Sequence, residues 1–154
     1  MSDVHDRATR SRNMAAIKGK NTKPEILLRK ALFKQGFRFR LHRKDLPGKP
    51  DIVLPKYNAV IFVQGCFWHG HDNCPMFKLP ASRKEFWEEK ILKNKERDSI
   101  NIQLLNDSGW RVAEVWECAL KGKRRLPITH VINQLADWLR SGSGACVVSG
   151  QDER

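Results

Sequence analysis

Between Cys66 and Cys74 the chain sets out two cysteines, two histidines, an aspartate and a Phe-Trp pair, just after an apolar run, Ala59 to Val63. Cys66, His71 and Cys74 are spaced C-x4-H-x2-C, and Cys118 stands directly past a second apolar run, Trp110 to Trp116. Two thiolates and an imidazole from one loop, joined by a thiolate from a distant strand end, form the four-coordinate Cys3His set of a closed zinc site. Such a site does no chemistry; it pins a loop that has no secondary structure of its own. His69 is then left over, or takes the place of His71 as the fourth ligand, and the spacing fits both. A histidine left free there can serve as general acid or base near neutral pH. Cys146 has no metal-binding neighbours in sequence and reads as a free thiol.

A second candidate centre is Asp51, which follows the turn Leu46-Pro47-Gly48-Lys49-Pro50 and heads the apolar stretch Ile52-Val53-Leu54. Pro-Asp with another strand about a dozen residues on is the skeleton of the PD-(D/E)xK nuclease motif, whose acids hold magnesium at a scissile phosphate. The next strand, Ile61-Phe62-Val63-Gln64, supplies neither the second acid nor the lysine. Phe67 and Trp68 are adjacent and cannot both enter one core from an extended loop. They suit stacking on or wedging between bases, or else cap the zinc loop.

The elements that must position these groups follow from caps and periodicity. Thr22-Lys23-Pro24-Glu25 has the form of a capping box, opening a helix from about 23 to 35 that ends at Gly36. Its third residue, Glu25, is explained by the cap alone. Phe37 to Leu41 alternates apolar and basic side chains as a half-buried strand does, and strands follow at 51–54, 59–63 and 110–116. Ser82-Arg83-Lys84-Glu85 reads as a second capping box, opening a long helix to about Asn106. The apolar stripe of that helix, Trp87, Ile91, Ile102 and Leu105, also passes through Asn94 and Asp98, so Asp98 is either a structural partner of a basic group or part of a site. A last amphipathic helix spans about 128–139. The order predicts a mixed sheet with helices on both faces. Residues 1–20 read as a basic arm, 21–140 as the folded domain and 141–154 as a flexible Gly/Ser-rich tail.

The chain has 154 residues and a net charge of +12, with 29 Lys+Arg against 17 Asp+Glu. That length fits one domain with its own core, and that charge suits a phosphate backbone. No apolar run reaches the roughly 18 residues of a membrane span, and the N-terminal segment lacks an apolar signal core, so a cytoplasmic protein is expected.

Taken together, Asp3-Val4-His5-Asp6, Leu46 to Asp51, Gly65-Cys66-Phe67-Trp68-His69, Glu85-Phe86-Trp87 with Arg97-Asp98, and Gly109 to Leu120 resemble the very-short-patch repair endonuclease family over residues 3 to about 140. The resemblance implies a restriction-endonuclease-like α/β core with a structural zinc site, and Mg2+-dependent nicking of duplex DNA next to T:G mismatches. It implies that Asp51 binds the catalytic Mg2+ with the backbone carbonyl of Val63. His69 is implied as base or proton relay, assisted by Glu25 and Asp98, and Cys66, His71, Cys74 and Cys118 as Zn2+ ligands. Phe67 and Trp68 are implied to wedge into the duplex, and the arm around Met14 and Ile17 to embrace the opposite groove. The implied setting is a bacterial cytoplasm, associated with the nucleoid, in which a monomer acts with mismatch-repair proteins on deaminated 5-methylcytosine left by a cytosine-5 DNA methyltransferase. Two other readings compete: a catalytically inactive, zinc-stabilised DNA-binding module, and a zinc hydrolase using His69 and His71.

Overall fold

A computed structural model describes residues 21–151; the arm with Met14 and Ile17 lies outside them. The first helix, α1 (Lys23–Lys34), forms where the capping box predicts it. Glu25 N–H donates to Thr22 Oγ1, and the Glu25 carboxylate accepts from the Thr22 and Asn21 amides. Strand β1 is only Arg40–Leu41, shorter than the alternation from Phe37 suggested. Its partner β2 (Ile52–Leu54) is three residues long, so it can pair with little more. After a single 3-10 turn, β3 (Ala59–Gln64) runs antiparallel to β2.

The long helix α2 (Lys84–Asp107) carries the chain over to β4 (Arg111–Trp116), which lies parallel to β3. The second capping box does not form. Arg83, at φ +58, is the residue before the helix, and no side chain caps it. Ser82 therefore stands one residue too early, while the Arg83 guanidinium lies 4.3 Å from the Phe86 ring centroid. A short helix α3 (Glu117–Leu120) follows β4, then α4 (Ile128–Ser141). The segment read as a flexible tail instead supplies β5 (Cys146–Val148), parallel to β4, so the sheet order is β1-β2-β3-β4-β5. Cys146-Val147-Val148 is a β-prone triplet, and the edge of β4 gives its backbone a ladder.

Because the sheet is covered on both faces, its central strands read as unbroken apolar runs. Ile61, Ala113 and Val115 face α1 and α4, packing on Leu28, Leu32, Val131, Leu135 and Leu139. Val60 and Val112 face α2, packing on Leu105. Leu28 is fully buried in the larger cluster, so Leu28→Ala is expected to destabilise by about 2–5 kcal/mol. Both layers leave the carboxyl ends of β3 and β4 open to the loop that starts at Gly65.

Candidate functional site

That loop is wound tightly. His69 N–H donates to Gly65 O and His71 N–H to Cys66 O. Gly70, at φ +61, sits against α2 so closely that a β-carbon would stand 2.6 Å from Ile91 Cγ2. Only glycine fits that approach and that backbone. Asn94 of α2 adds a hydrogen bond from its amide to the Trp68 carbonyl at 2.9 Å, which explains a polar residue on the helix's inward stripe.

The winding brings Cys66, His71, Cys74 and Cys118 together, with one donor atom from each within 4.8 Å of the others. Zn–S and Zn–N bonds of about 2.0–2.3 Å in a tetrahedron place donors roughly 3.3–3.8 Å apart, so the set fits a zinc ion. Burial pushes the Cys66 thiol up, and the neighbouring Cys118 and Cys74 add to this once they ionise. Burial also pushes His71 down, favouring the neutral imidazole a metal requires. Its ring stacks on Trp116 at 4.0 Å between centroids and 5° between planes. Gly150 N–H, from the chain just after β5, donates to Cys118 Sγ at 3.2 Å. Of the two histidines left open by the spacing, His71 and not His69 stands in this group.

His69 points the other way. Its Nδ1 lies 2.6 Å from Asp98 Oδ2 on α2. A carboxylate can only accept, so Nδ1 donates, and whenever the ring is neutral Nε2 is the nitrogen with the free lone pair. Asp98 is therefore the partner of a histidine in a cleft lined by Gly48, Phe62, Gln64, His69, Asp98, Asn101 and Ile102. If the pair handles a proton, Asp98→Asn lowers the nicking rate by about 10²-fold while the melting temperature moves little. Loss of fold in step with rate would make Asp98 structural.

Asp51 lies within the electrostatic reach of His69 and of Glu25. Burial pushes its carboxyl up to about 7, the Val63 N–H opposes the rise, and the Glu25 charge adds to it. That N–H donates to Asp51 Oδ2 at 2.7 Å; it is the Val63 amide, not its carbonyl, that meets Asp51. Glu25 is 2% exposed, and with Asp51 and His42 forms a second group whose donor atoms lie within 4.8 Å of one another. A buried carboxylate beside a half-buried one favours a shared cation or proton.

Two members of this region were not singled out in the sequence. His42 meets Glu25 at 2.5 Å, and a signal for it existed: pairing Leu41 with Ile52 in a hairpin puts His42 opposite Asp51. Glu114 is the lone acid of the fourth strand. Burial pushes it up, and it accepts a hydrogen bond from the Gln64 amide at 3.1 Å.

Phe67 and Trp68 are both half-buried. Their rings meet each other and the Trp87 ring edge to face, at centroid distances of 5.1 to 6.0 Å. They thus join an aromatic cluster next to the metal loop while keeping part of their surface open.

A family model described as DNA mismatch endonuclease Vsr matches residues 2–75. The chain is 50% identical over 145 residues to the DNA mismatch endonuclease Vsr of Escherichia coli, covering 94% of this chain and 92% of that protein. It is 47% identical over 139 residues to the type II nicking enzyme V.NmeAIP of Neisseria meningitidis, covering 89% of this chain and 99% of that one. With the type II nicking enzyme V.XorIIP of Xanthomonas oryzae it shares 52% identity over 107 residues, 70% of this chain and 78% of that one. At this identity and coverage the chain belongs to the Vsr family of DNA mismatch endonucleases.

Proposed function

We propose that this DNA endonuclease nicks one strand of duplex DNA beside a T:G mismatch by Mg2+-dependent hydrolysis, within very-short-patch repair of deaminated 5-methylcytosine, on a restriction-endonuclease-like fold. The observation that carries the reading is the half-buried Asp51 carboxylate standing within electrostatic reach of His69, which Asp98 holds. Asp51 offers the cation its carboxylate. Extending the β2–β3 register beyond Ile52 and Ile61 puts Pro50 opposite Val63, and proline has no N–H to occupy the Val63 carbonyl, which supports that carbonyl as a second oxygen ligand. A bound Mg2+ supplies Lewis-acid polarisation of the phosphate and neutralises charge on the leaving oxygen. His69, held by Asp98, takes the proton from the attacking water at Nε2. Glu25 adds negative charge beside Asp51.

Cys66, His71, Cys74 and Cys118 would hold a structural Zn2+ that keeps His69 and the aromatic pair in place. Phe67 and Trp68 enter the duplex at the mismatch. A wobble pair stacks poorly, so opening its step costs less than opening a matched one, and part of the preference is a deformation energy. Met14 and Ile17 would close on the opposite groove. The net charge of +12 supports binding to the phosphate backbone. No described helix is long and apolar enough to cross a membrane. Membership of the family supports a cytoplasmic, nucleoid-associated monomer acting with mismatch-repair proteins and following a cytosine-5 methyltransferase.

Duplexes carrying one T:G pair, with each strand labelled separately, test the function in Mg2+. Scission of one strand at the mismatch is expected; binding without scission would leave the inactive-module reading. For the wedge, Trp68→Ala is expected to weaken T:G duplex binding by roughly 5- to 150-fold, the worth of one stacked base. A large fall in melting temperature with unchanged binding would make Trp68 a core residue.

A further inference from the structure

His42 stands in a left-handed backbone conformation, φ +51, directly after β1. Such a conformation is uncommon outside glycine and is tolerated best by Asn, Asp and His. It lets one residue make two connections. Its backbone N–H donates to the Asp51 carbonyl at 3.1 Å, and its ring Nε2 meets Glu25 Oε1 at 2.5 Å. The other Glu25 oxygen, Oε2, is held by the Asn21 amide at 2.6 Å and the Thr22 amide at 3.3 Å. Glu25 thus has both oxygens assigned, one by the first turn of α1 and one by His42.

We propose that His42 is a positioning residue of the divalent-cation site, tying the Glu25 carboxylate to the start of β2 so that Glu25 and Asp51 are held ready around one cation. The inference rests on the proposed function, since it deepens the account of the same site. The core already packs Leu28 and Leu32 of α1 with Ile52 and Leu54 of β2; His42 adds the finer tie between the Glu25 carboxylate on the helix and Asp51 at the entry to the strand. The ring acts as a donor. Its Nε2 proton is committed to a carboxylate, and a hard cation prefers oxygen to imidazole. Groups that orient ligands in this way are worth about 10- to 100-fold in metal affinity.

His42→Asn is the informative variant: it keeps the left-handed backbone but is too short to reach Glu25. His42→Gln restores an amide donor at about the reach of the ring. Mn2+ binding to the full chain, followed by loss of the free-ion paramagnetic resonance signal, is the readout. His42→Asn is expected to weaken Mn2+ binding by about tenfold or more, and His42→Gln to restore it to within about threefold. The Mg2+ concentration needed for half-maximal nicking should rise in parallel, with the rate at saturating Mg2+ largely recovered. Unchanged Mn2+ affinity in His42→Asn would overturn the proposal. So would a nitrogen hyperfine coupling on bound Mn2+ that His42→Gln removes, because His42 would then be a ligand. Mn2+ binding that Asp51→Asn abolishes, in a protein that nicks no DNA, would instead defeat the proposed function and leave the role of His42 standing.

Discussion

Replacing Asp51 with asparagine is expected to abolish Mg2+-dependent nicking and to make the metal-free protein more resistant to heat at about pH 8. The two effects share a cause. Burial, and after it the nearby Glu25 charge, push the Asp51 carboxyl from 3.8 up to about 7, against the pull of the Val63 N–H. The native pKa lies above the unfolded one, so between about pH 4 and pH 7 the native state holds the proton more tightly. This favourable proton binding is fully lost above about pH 7, where the folded chain must carry a buried charge. The span corresponds to an upper bound of about 4 kcal/mol at 1.36 kcal/mol per pH unit, of which roughly half is a reasonable expectation after local relaxation. For a domain of this size that is a gain of about 4–8 °C in melting temperature for Asp51→Asn at about pH 8. As the pH falls well below about 4 the gain should vanish, because the aspartate is then neutral in both states. Saturating Mg2+ should shrink it too, since a cation on Asp51 stabilises the unaltered protein alone. A variant equally destabilised at both pH values would show that Asp51 is a structural acid.

The second large effect concerns the cysteine cluster. One zinc per chain is expected by elemental analysis. Stripping it, or Cys66→Ser, should lower the melting temperature by at least about 10 °C, equivalent to roughly 3–5 kcal/mol, and abolish nicking. The larger apolar cluster, from Leu28 to Val148, does not involve the thiols, so the sheet has its own support. The loss should fall first on the loop after Gly65, where Cys66, His71 and Cys74 would supply three of the four ligands. His69 and Trp68 lie on that loop and move with it. Asp51→Asn should keep its full zinc content, separating the anchor from the chemistry. Full activity and unchanged stability after zinc removal would mean the cysteines are plain buried thiols.

Much of this was legible because certain signals are local. The capping box at Thr22 works within one turn, and it forms as read, with Glu25 bonding back to the cap. The same pattern at Ser82 fails because the chain enters α2 through a left-handed Arg83, which leaves Ser82 one residue before the cap position. The ligand spacing around His71 carried the metal loop, but only the parallel pairing of β3 with β4 brings Cys118 to it. Asp98 was ambiguous, since a polar residue on an apolar stripe marks a partner without naming it; the partner is His69, on a different element. Asn94 is explained in the same way, by the Trp68 carbonyl. Glu25 shows how a sufficient local reason can hide a second role. Its capping duty uses Oε2, and Oε1 remains to face His42 beside Asp51. The fifth strand was hidden by its Gly-Ser surroundings, because a three-residue edge strand takes its order from its neighbour.

The proposed mechanism places the chemistry at Asp51 and leaves the cysteine cluster only to hold the loop. Initial nicking rates on T:G and matched T:A duplexes, titrated with Mg2+, test it most directly when measured on zinc-loaded unaltered protein and zinc-loaded Asp51→Asn. The expected result is strand-specific scission of the T:G duplex that rises with Mg2+ in the unaltered protein and is absent from Asp51→Asn. Scission that survives in Asp51→Asn, or that follows zinc content and not Mg2+, would contradict it.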